Sequence, residues 1–349
     1  MKERHSVNVR SPGYVLSVSV FASGTGVGSW PGSDPRRASE IVVGELQLPH
    51  LVELPDRGVG ADLIGRSGAL LVDIAIDTST RGYRIAARPG AVMRRAASLL
   101  DEDLDALEEI WEKTGGGPAV KVQAPGPITL AAALELANGH RVITDPGAVR
   151  DLTASLAEGM ALHSAQVARR LSTTVVVQFD EPLLVMALAG RLSGVTALST
   201  VHAVDASAAV GLLDQCAAAV GGAALLHCCS DDIPWKVLQR SAFRALSVDA
   251  TKLGDAALDG LGEFVDSGRS VVLGLVPAVA PVTAPSVEEF AVAAAAITDR
   301  LGFPRALLRD QIGVSPTCGL AGASEEWART ATALSQRAAD SLAADPAAI

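Results

Sequence analysis

Short apolar runs with strand character alternate with longer Ala- and Leu-rich stretches of helical spacing, and this alternation constrains the fold of the 349-residue chain more than any other feature. Strand-like runs fall at 18–24, 48–54, 120–124, 174–180, 223–230, 245–249, 270–276 and 313–317. Helical spacing covers 101–114, 146–170, 257–266, 287–301 and 324–338. Eight parallel strands separated by helices predict an α/β fold, a TIM-type (β/α)8 barrel, with an open doubly wound sheet as its rival. Two features favour the barrel. Gly24-Thr-Gly-Val-Gly28 runs into Ser-Trp-Pro instead of opening a helix, which a dinucleotide-binding sheet would require. Unusual polar residues also gather at the C-terminal ends of many strands, where a barrel builds its site. The expected organisation is an N-terminal extension at 1–17, one barrel over 18–340 with an added β-hairpin within 70–85, and a disordered Ala/Asp-rich tail at 341–349.

Composition narrows the function. Apolar residues make up 49% of the chain, which rules out disorder, and the net charge of −10 opposes a surface built to neutralise phosphates or anionic lipid. With only six Phe, four Trp and two Tyr there is no supply of rings for base stacking. Nucleic acid and membrane are therefore not expected partners. Cys216, Cys228, Cys229 and Cys318 are too few and too clustered for a secreted disulfide scaffold, so a reducing, cytoplasmic location is expected. Basic residues ahead of the apolar stretch 14–22 imitate a signal peptide, but Ser17 and Ser19 break it into strand-like alternation. No apolar run approaches the ~20 residues of a membrane span.

The sharpest chemical signal is Leu225-Leu-His-Cys-Cys-Ser230. Alternate side chains of a strand share a face, so His227 and Cys229 point together and Cys228 points away. One imidazole and one thiolate make half of a tetrahedral zinc site. Asp249 ends the sixth predicted strand and Cys318 follows the eighth, so a barrel would bring one nitrogen, two sulfurs and one oxygen to a common cavity. The competing readings are that Asp249 caps the following helix and that the cysteines are inert packing. In Val177-Gln-Phe-Asp-Glu-Pro182 only one of the two adjacent carboxylates is expected to face the cavity; Asp180 is assigned there and Glu181 to a contact at the rim, with helix capping by either ahead of Pro182 as the competing reading. Glu53 ends the second predicted strand, with a surface pairing to Arg57 as its competing reading.

Taken together, His227-x-Cys229, Asp249 in place of a glutamate, Pro316-Thr-Cys318-Gly-Leu, Gln178-Phe-Asp-Glu-Pro182 and Gly28-Ser-Trp-Pro31 resemble the catalytic barrel of cobalamin-independent methionine synthase. The motifs keep the family's order and span Gly28 to Leu320. The resemblance implies a zinc-dependent methyltransferase that alkylates the sulfur of homocysteine to give methionine. It implies that His227, Cys229, Asp249 and Cys318 bind Zn²⁺, that Ser29 meets the amino acid's carboxylate, and that Glu53 and Asp180 receive its ammonium. Asp180, His227 and Cys229 are the residues it makes catalytic. The chemistry agrees, because a free thiol has a pKa of about 8.5 and metal binding deprotonates it outright at neutral pH.

The departures from the pattern concern the methyl donor. The family's long members carry a second, N-terminal barrel that helps hold a polyglutamylated methyltetrahydrofolate, and a histidine after the seventh strand that protonates the leaving folate. This sequence has Leu275-Val-Pro-Ala-Val-Ala-Pro281 at the second of these places. A methylcorrinoid or its carrier protein is therefore expected as donor in preference to methyltetrahydrofolate, with His50 the one histidine that could stand in as acid. A second reading keeps the barrel and zinc but takes another thiol as substrate, in a methyltransferase or lyase-like relative. A third makes the chain a non-catalytic zinc-binding protein on a retired enzyme scaffold.

Overall fold

The computed structural model describes residues 18–196, 200–221 and 224–349; the expected extension at 1–17 lies outside the described residues. Nine strands occur among them: β1 (Ala75–Ser79), β2 (Gly82–Ala86), β3 (Ala119–Pro125), β4 (Leu134–Glu135), β5 (Thr174–Asp180), β6 (Ala224–Cys228), β7 (Ala245–Asp249), β8 (Ser270–Val276) and β9 (Ile312–Pro316). Six of them form a parallel sheet in the order β3-β5-β6-β7-β8-β9. The expected hairpin is β1 paired antiparallel with β2, turning at Ser79 and Gly82, and β2 adds the two-residue β4 at its edge.

Two short segments close the sheet into a barrel. Gly24 bridges Val314 of β9, Thr25 bridges Leu48, and His50 bridges Lys121 of β3, all parallel. The bonds are Thr25 N to Val314 O (3.0 Å), Leu48 N to Gly24 O (3.3 Å), and Leu51 N to Lys121 O with Lys121 N to Pro49 O (2.9 and 2.8 Å). The expected strand at 18–24 is thus a correction: residues 20–23 form a turn and bend, and the ladder begins only at Gly24. Local bonds make the turn: Ala22 N donates to Ser19 O at 2.9 Å, Phe21 N to Ser19 Oγ at 3.3 Å and Ser23 Oγ to Val20 O at 3.1 Å. A Cβ on Gly24 would lie 2.5 Å from the Cα of Gln336, so the helix Glu325–Ala344 packs directly on the backbone there. Pro49 has no N–H to donate, which shortens the second segment too.

Strand alternation sorts the barrel into an oily exterior and a graded interior. Val120 and Val122 of β3, Val177 and Phe179 of β5, Leu226 and Cys228 of β6, and Leu246 and Val248 of β7 pack in the main core under the helices. The residues between them point inward. Their lowest layer is a separate apolar cluster of Phe21, Leu48, Ala119, Val176, Leu225, Ala245 and Val272. Two residues further along each strand the interior turns polar, with Lys121, Gln178, His227 and Ser247, all buried. Two further again stand Gln123, Asp180, Cys229 and Asp249. Each inward step toward the C-terminal end therefore exchanges hydrocarbon for chemistry.

The tail corrects a second expectation. The helix Glu325–Ala344 continues the apolar stripe of Ala338 and Ala339 to a buried Leu342. Ile349 packs against the core, and its carbonyl accepts from Arg305 Nη1 at 2.8 Å. Residues 341–344 are helical because alanine favours helix and Leu342 has a core to enter. Among the described residues no helix is long and apolar enough to cross a membrane.

Candidate functional site

The C-terminal mouth gathers three soft donors. His227 near the end of β6, Cys229 just beyond it, and Cys318 after β9 have donor atoms within 4.8 Å of one another. Cys229 Sγ and Cys318 Sγ are 3.5 Å apart, close to the ~3.8 Å expected for two sulfurs on one tetrahedral zinc. His227 Nδ1 lies 3.0 Å from Ser247 Oγ, which sets the ring, while its buried Nε2 has no hydrogen-bond partner. A buried ring nitrogen left open beside two thiols fits a metal ion. The hydrogen bond between the two sulfurs, followed by His227, pushes Cys318 down to about 4, and the same bond drives Cys229 up. Cys228 is buried in the main core and stands outside the cluster.

Asp249 does not join the three. Its Oδ1 accepts from Thr251 N (3.1 Å) and Thr251 Oγ1 (2.6 Å), and Oδ2 lies 3.6 Å from Lys252 Nζ. In this state it caps the 3-10 turn Ala250–Lys252. Tied to its own following turn, the Asp249 carboxylate stays outside the three-donor cluster one strand away.

Beside the thiols stand the residues expected to meet an amino acid. A Cβ on Gly319 would lie 2.1 Å from Ser29 Oγ, and Leu320 N donates to Ser29 O at 2.9 Å, so the Cys318 loop is laid onto Ser29. Ser29 in turn bridges Glu53. Glu53 is buried, and the surface pairing with Arg57 does not exist. Arg57 instead holds Asp103 through two bonds of 2.7 and 2.8 Å. Glu53 faces Arg66 at 4.0 Å, and Arg66 Nη1 binds the same Asp103 at 2.6 Å. Burial raises Glu53 to about 7, with Asp180 adding to the rise and Arg66 opposing it. Asp180 is raised as well, chiefly by burial, against the pull of His227 and Lys121. Two carboxylates in one desolvated pocket are short of positive charge.

Glu181 is buried and points away from the cavity. It accepts from Ile128 N (2.9 Å), Thr129 N (2.8 Å) and Thr129 Oγ1 (2.6 Å), capping the helix Pro127–Ala133. It is a helix anchor, where a rim contact was expected. His50 is buried below the mouth, and burial with Lys121 nearby lowers it to about 3. The sequence alone assigns no role to Lys121, Gln123, Arg66 or Asp103, and Gln178 enters it only as part of a motif. The available signal was polarity at every second position of otherwise apolar strands, as in Lys121 and Gln123.

The family profile described as "Cobalamin-independent synthase, Catalytic domain" matches residues 21–341. The chain belongs to that family. Membership places it among the methyltransferases and accounts for the barrel. Among solved structures it is similar to a B12-independent methionine synthase from Shewanella sp. W3-18-1 in complex with selenomethionine. Identity is 12% and the TM-score 0.59, over 92% of this chain and 98% of that one. It is also similar to a methyltransferase from Methanosarcina mazei, at 15% identity and TM-score 0.54, over 95% of this chain and 94% of that one. At these identities the likeness to both structures is one of fold. No curated protein matches the chain in sequence.

Proposed function

We propose that this synthase-family protein transfers a methyl group to the sulfur of homocysteine, giving methionine, with zinc held by His227, Cys229 and Cys318. The observation that carries the reading is the open Nε2 of buried His227 beside two cysteine sulfurs 3.5 Å apart. Asp249 would complete the ligand set on giving up its bonds to Thr251. Zinc bound there supplies the Lewis acidity that keeps the substrate thiol deprotonated at neutral pH. The chain's own residues do the rest. Glu53 and Asp180 receive the substrate's ammonium, Ser29 and the backbone around it meet the carboxylate, and Ser247 holds the His227 ring. The need for free thiols suits a reducing, cytoplasmic setting.

The donor we propose is a methylcorrinoid or its carrier protein. In that step the thiolate sulfur forms a bond to the methyl carbon, and the carbon–cobalt bond breaks with both electrons leaving on cobalt. No proton is required. Methyltetrahydrofolate must protonate its leaving nitrogen, which needs a positioned acid. The segment 275–281 has no histidine, and His50 is buried and held neutral.

The test is metal analysis followed by zinc X-ray absorption with and without homocysteine, where one added sulfur neighbour is expected. A closed four-ligand site that homocysteine leaves unchanged would refute substrate binding at the metal. A single-turnover comparison of methylcobalamin with methyltetrahydrofolate at equal concentration then reads methionine by mass spectrometry. Faster transfer from the folate would overturn the donor.

A further inference from the structure

Inside the barrel, one layer below the mouth, lies a charged group that the chemistry above does not use. Lys121 of β3 is fully buried. Its Nζ donates to Val27 O at 2.9 Å and to Gln178 Oε1 at 2.6 Å. Gln178 Nε2 in turn donates to Val27 O at 2.7 Å and to Asp180 Oδ1 at 2.7 Å. The amide of Gln178 thus stands between an ammonium, which can only donate, and a carboxylate, which can only accept when ionised. Only one orientation of the amide satisfies both neighbours. Turned over, it would set NH₂ against ammonium and carbonyl oxygen against carboxylate, two repulsive contacts in a desolvated interior.

We propose that Lys121 is a positioning residue for substrate recognition: by fixing the Gln178 amide it holds Asp180 through Oδ1 and leaves the other carboxylate oxygen for the substrate's ammonium. The inference rests on the reading of Asp180 as an ammonium acceptor. Burying an ammonium is costly, and a peg serving only to join β3 to the Val27 loop could have been built from apolar atoms. Burial lowers Lys121 to about 8, against the pull of Asp180 and then Glu53, so the ammonium is still the main form at neutral pH. The period of two along the strand makes the chain of bonds possible, because 178 and 180 share a face of β5 and 121 lies diagonally across on β3.

The test compares Lys121→Met, Gln178→Leu and the double variant with the parent protein, all zinc-loaded. If Lys121 acts through Gln178, each single change raises the homocysteine KM about tenfold with kcat little altered, and the double change costs no more than the worse single one. Zinc content stays at the parent level. A peg without a positioning role would lower the melting temperature and leave KM alone, and independent roles would multiply the two losses; either result overturns the proposal. Should Lys121→Met fail to fold, Gln178→Glu gives Lys121 a charged partner while withdrawing the donor from Asp180, and it should lose as much affinity as Gln178→Leu. An unchanged KM in Gln178→Glu refutes the proposal. A crystal structure of Lys121→Met, or of Gln178→Glu where Lys121→Met does not fold, decides without substrate: Asp180 should leave residue 178, and an Asp180 still bonded there refutes the positioning. A parent that binds no homocysteine would refute the function and leave this structural arm decisive.

Discussion

Replacing Glu53 by glutamine tests the amino-acid pocket with little risk to the fold. The variant removes a charge and keeps the shape, and Arg66 still has Asp103 at 2.6 Å, so no cation is orphaned. Losing one partner of a desolvated charged contact costs about 3 kcal/mol, or roughly 150-fold in affinity. Burial refines this expectation. With Glu53 raised to about 7, it is ionised in only about a tenth of molecules at pH 6 and about nine-tenths at pH 8. Only the ionised form attracts an ammonium strongly, so affinity should rise about tenfold between those pH values. Methionine is the ligand to use, because it has the same ammonium and no thiol to titrate. Calorimetry on the zinc-loaded protein should show that tenfold rise in the parent and a flat profile in Glu53→Gln. The two curves should differ by about 150-fold at pH 8 and about fifteenfold at pH 6. A variant within threefold of the parent at pH 8, or one that keeps the parent's slope, would refute the role given to Glu53.

Cys229→Ser and Cys318→Ser should each lose most of the bound zinc while Cys228→Ser retains it, read by metal analysis after gel filtration; equal loss from Cys228→Ser would sink the assignment of faces. Glu181→Ala strands two buried N–H groups and a hydroxyl at the start of Pro127–Ala133, so chemical denaturation should show a loss of about 3 kcal/mol. Because burial raises Glu181 from 4.5 to about 7, the folded state holds its proton more tightly than the unfolded chain. The stability this gives is complete below pH 4.5 and fades as pH rises through 7, and Glu181→Ala should flatten that part of the stability profile; an unchanged slope would count against the burial argument.

What the sequence revealed and what it hid follow from the range of the interactions. The parallel strands, the long helices and the opposed faces of Cys228 and Cys229 depend on local periodicity, which a sequence displays directly. The first barrel segment did not, because what Gly24 pairs with and packs on, Val314 and Gln336, lies about three hundred positions away. Glu181 was misplaced for the same reason: the helix it caps starts some fifty residues earlier, and nothing in Asp180-Glu-Pro182 announces that partner. Lys121 was visible as a lone charge in an apolar strand, yet its meaning depends on Gln178, which only the register β3-β5 brings near. Asp249 shows the opposite case. The local cap on Thr251 was a readable alternative, and the structure takes it.

Cys229 and Cys318 are 89 residues apart, and β7 and β8 lie between the strands that carry them. An ion gripping both sulfurs would act as a staple across half the barrel wall. Closing a loop of that length removes about 4–5 kcal/mol of conformational freedom from the unfolded chain, by the reasoning that applies to a disulfide. Metal supply would then govern how long the protein survives as well as whether it works. Chains made when the ion is scarce would carry a mouth without that staple, more open to the proteases that remove loosened barrels.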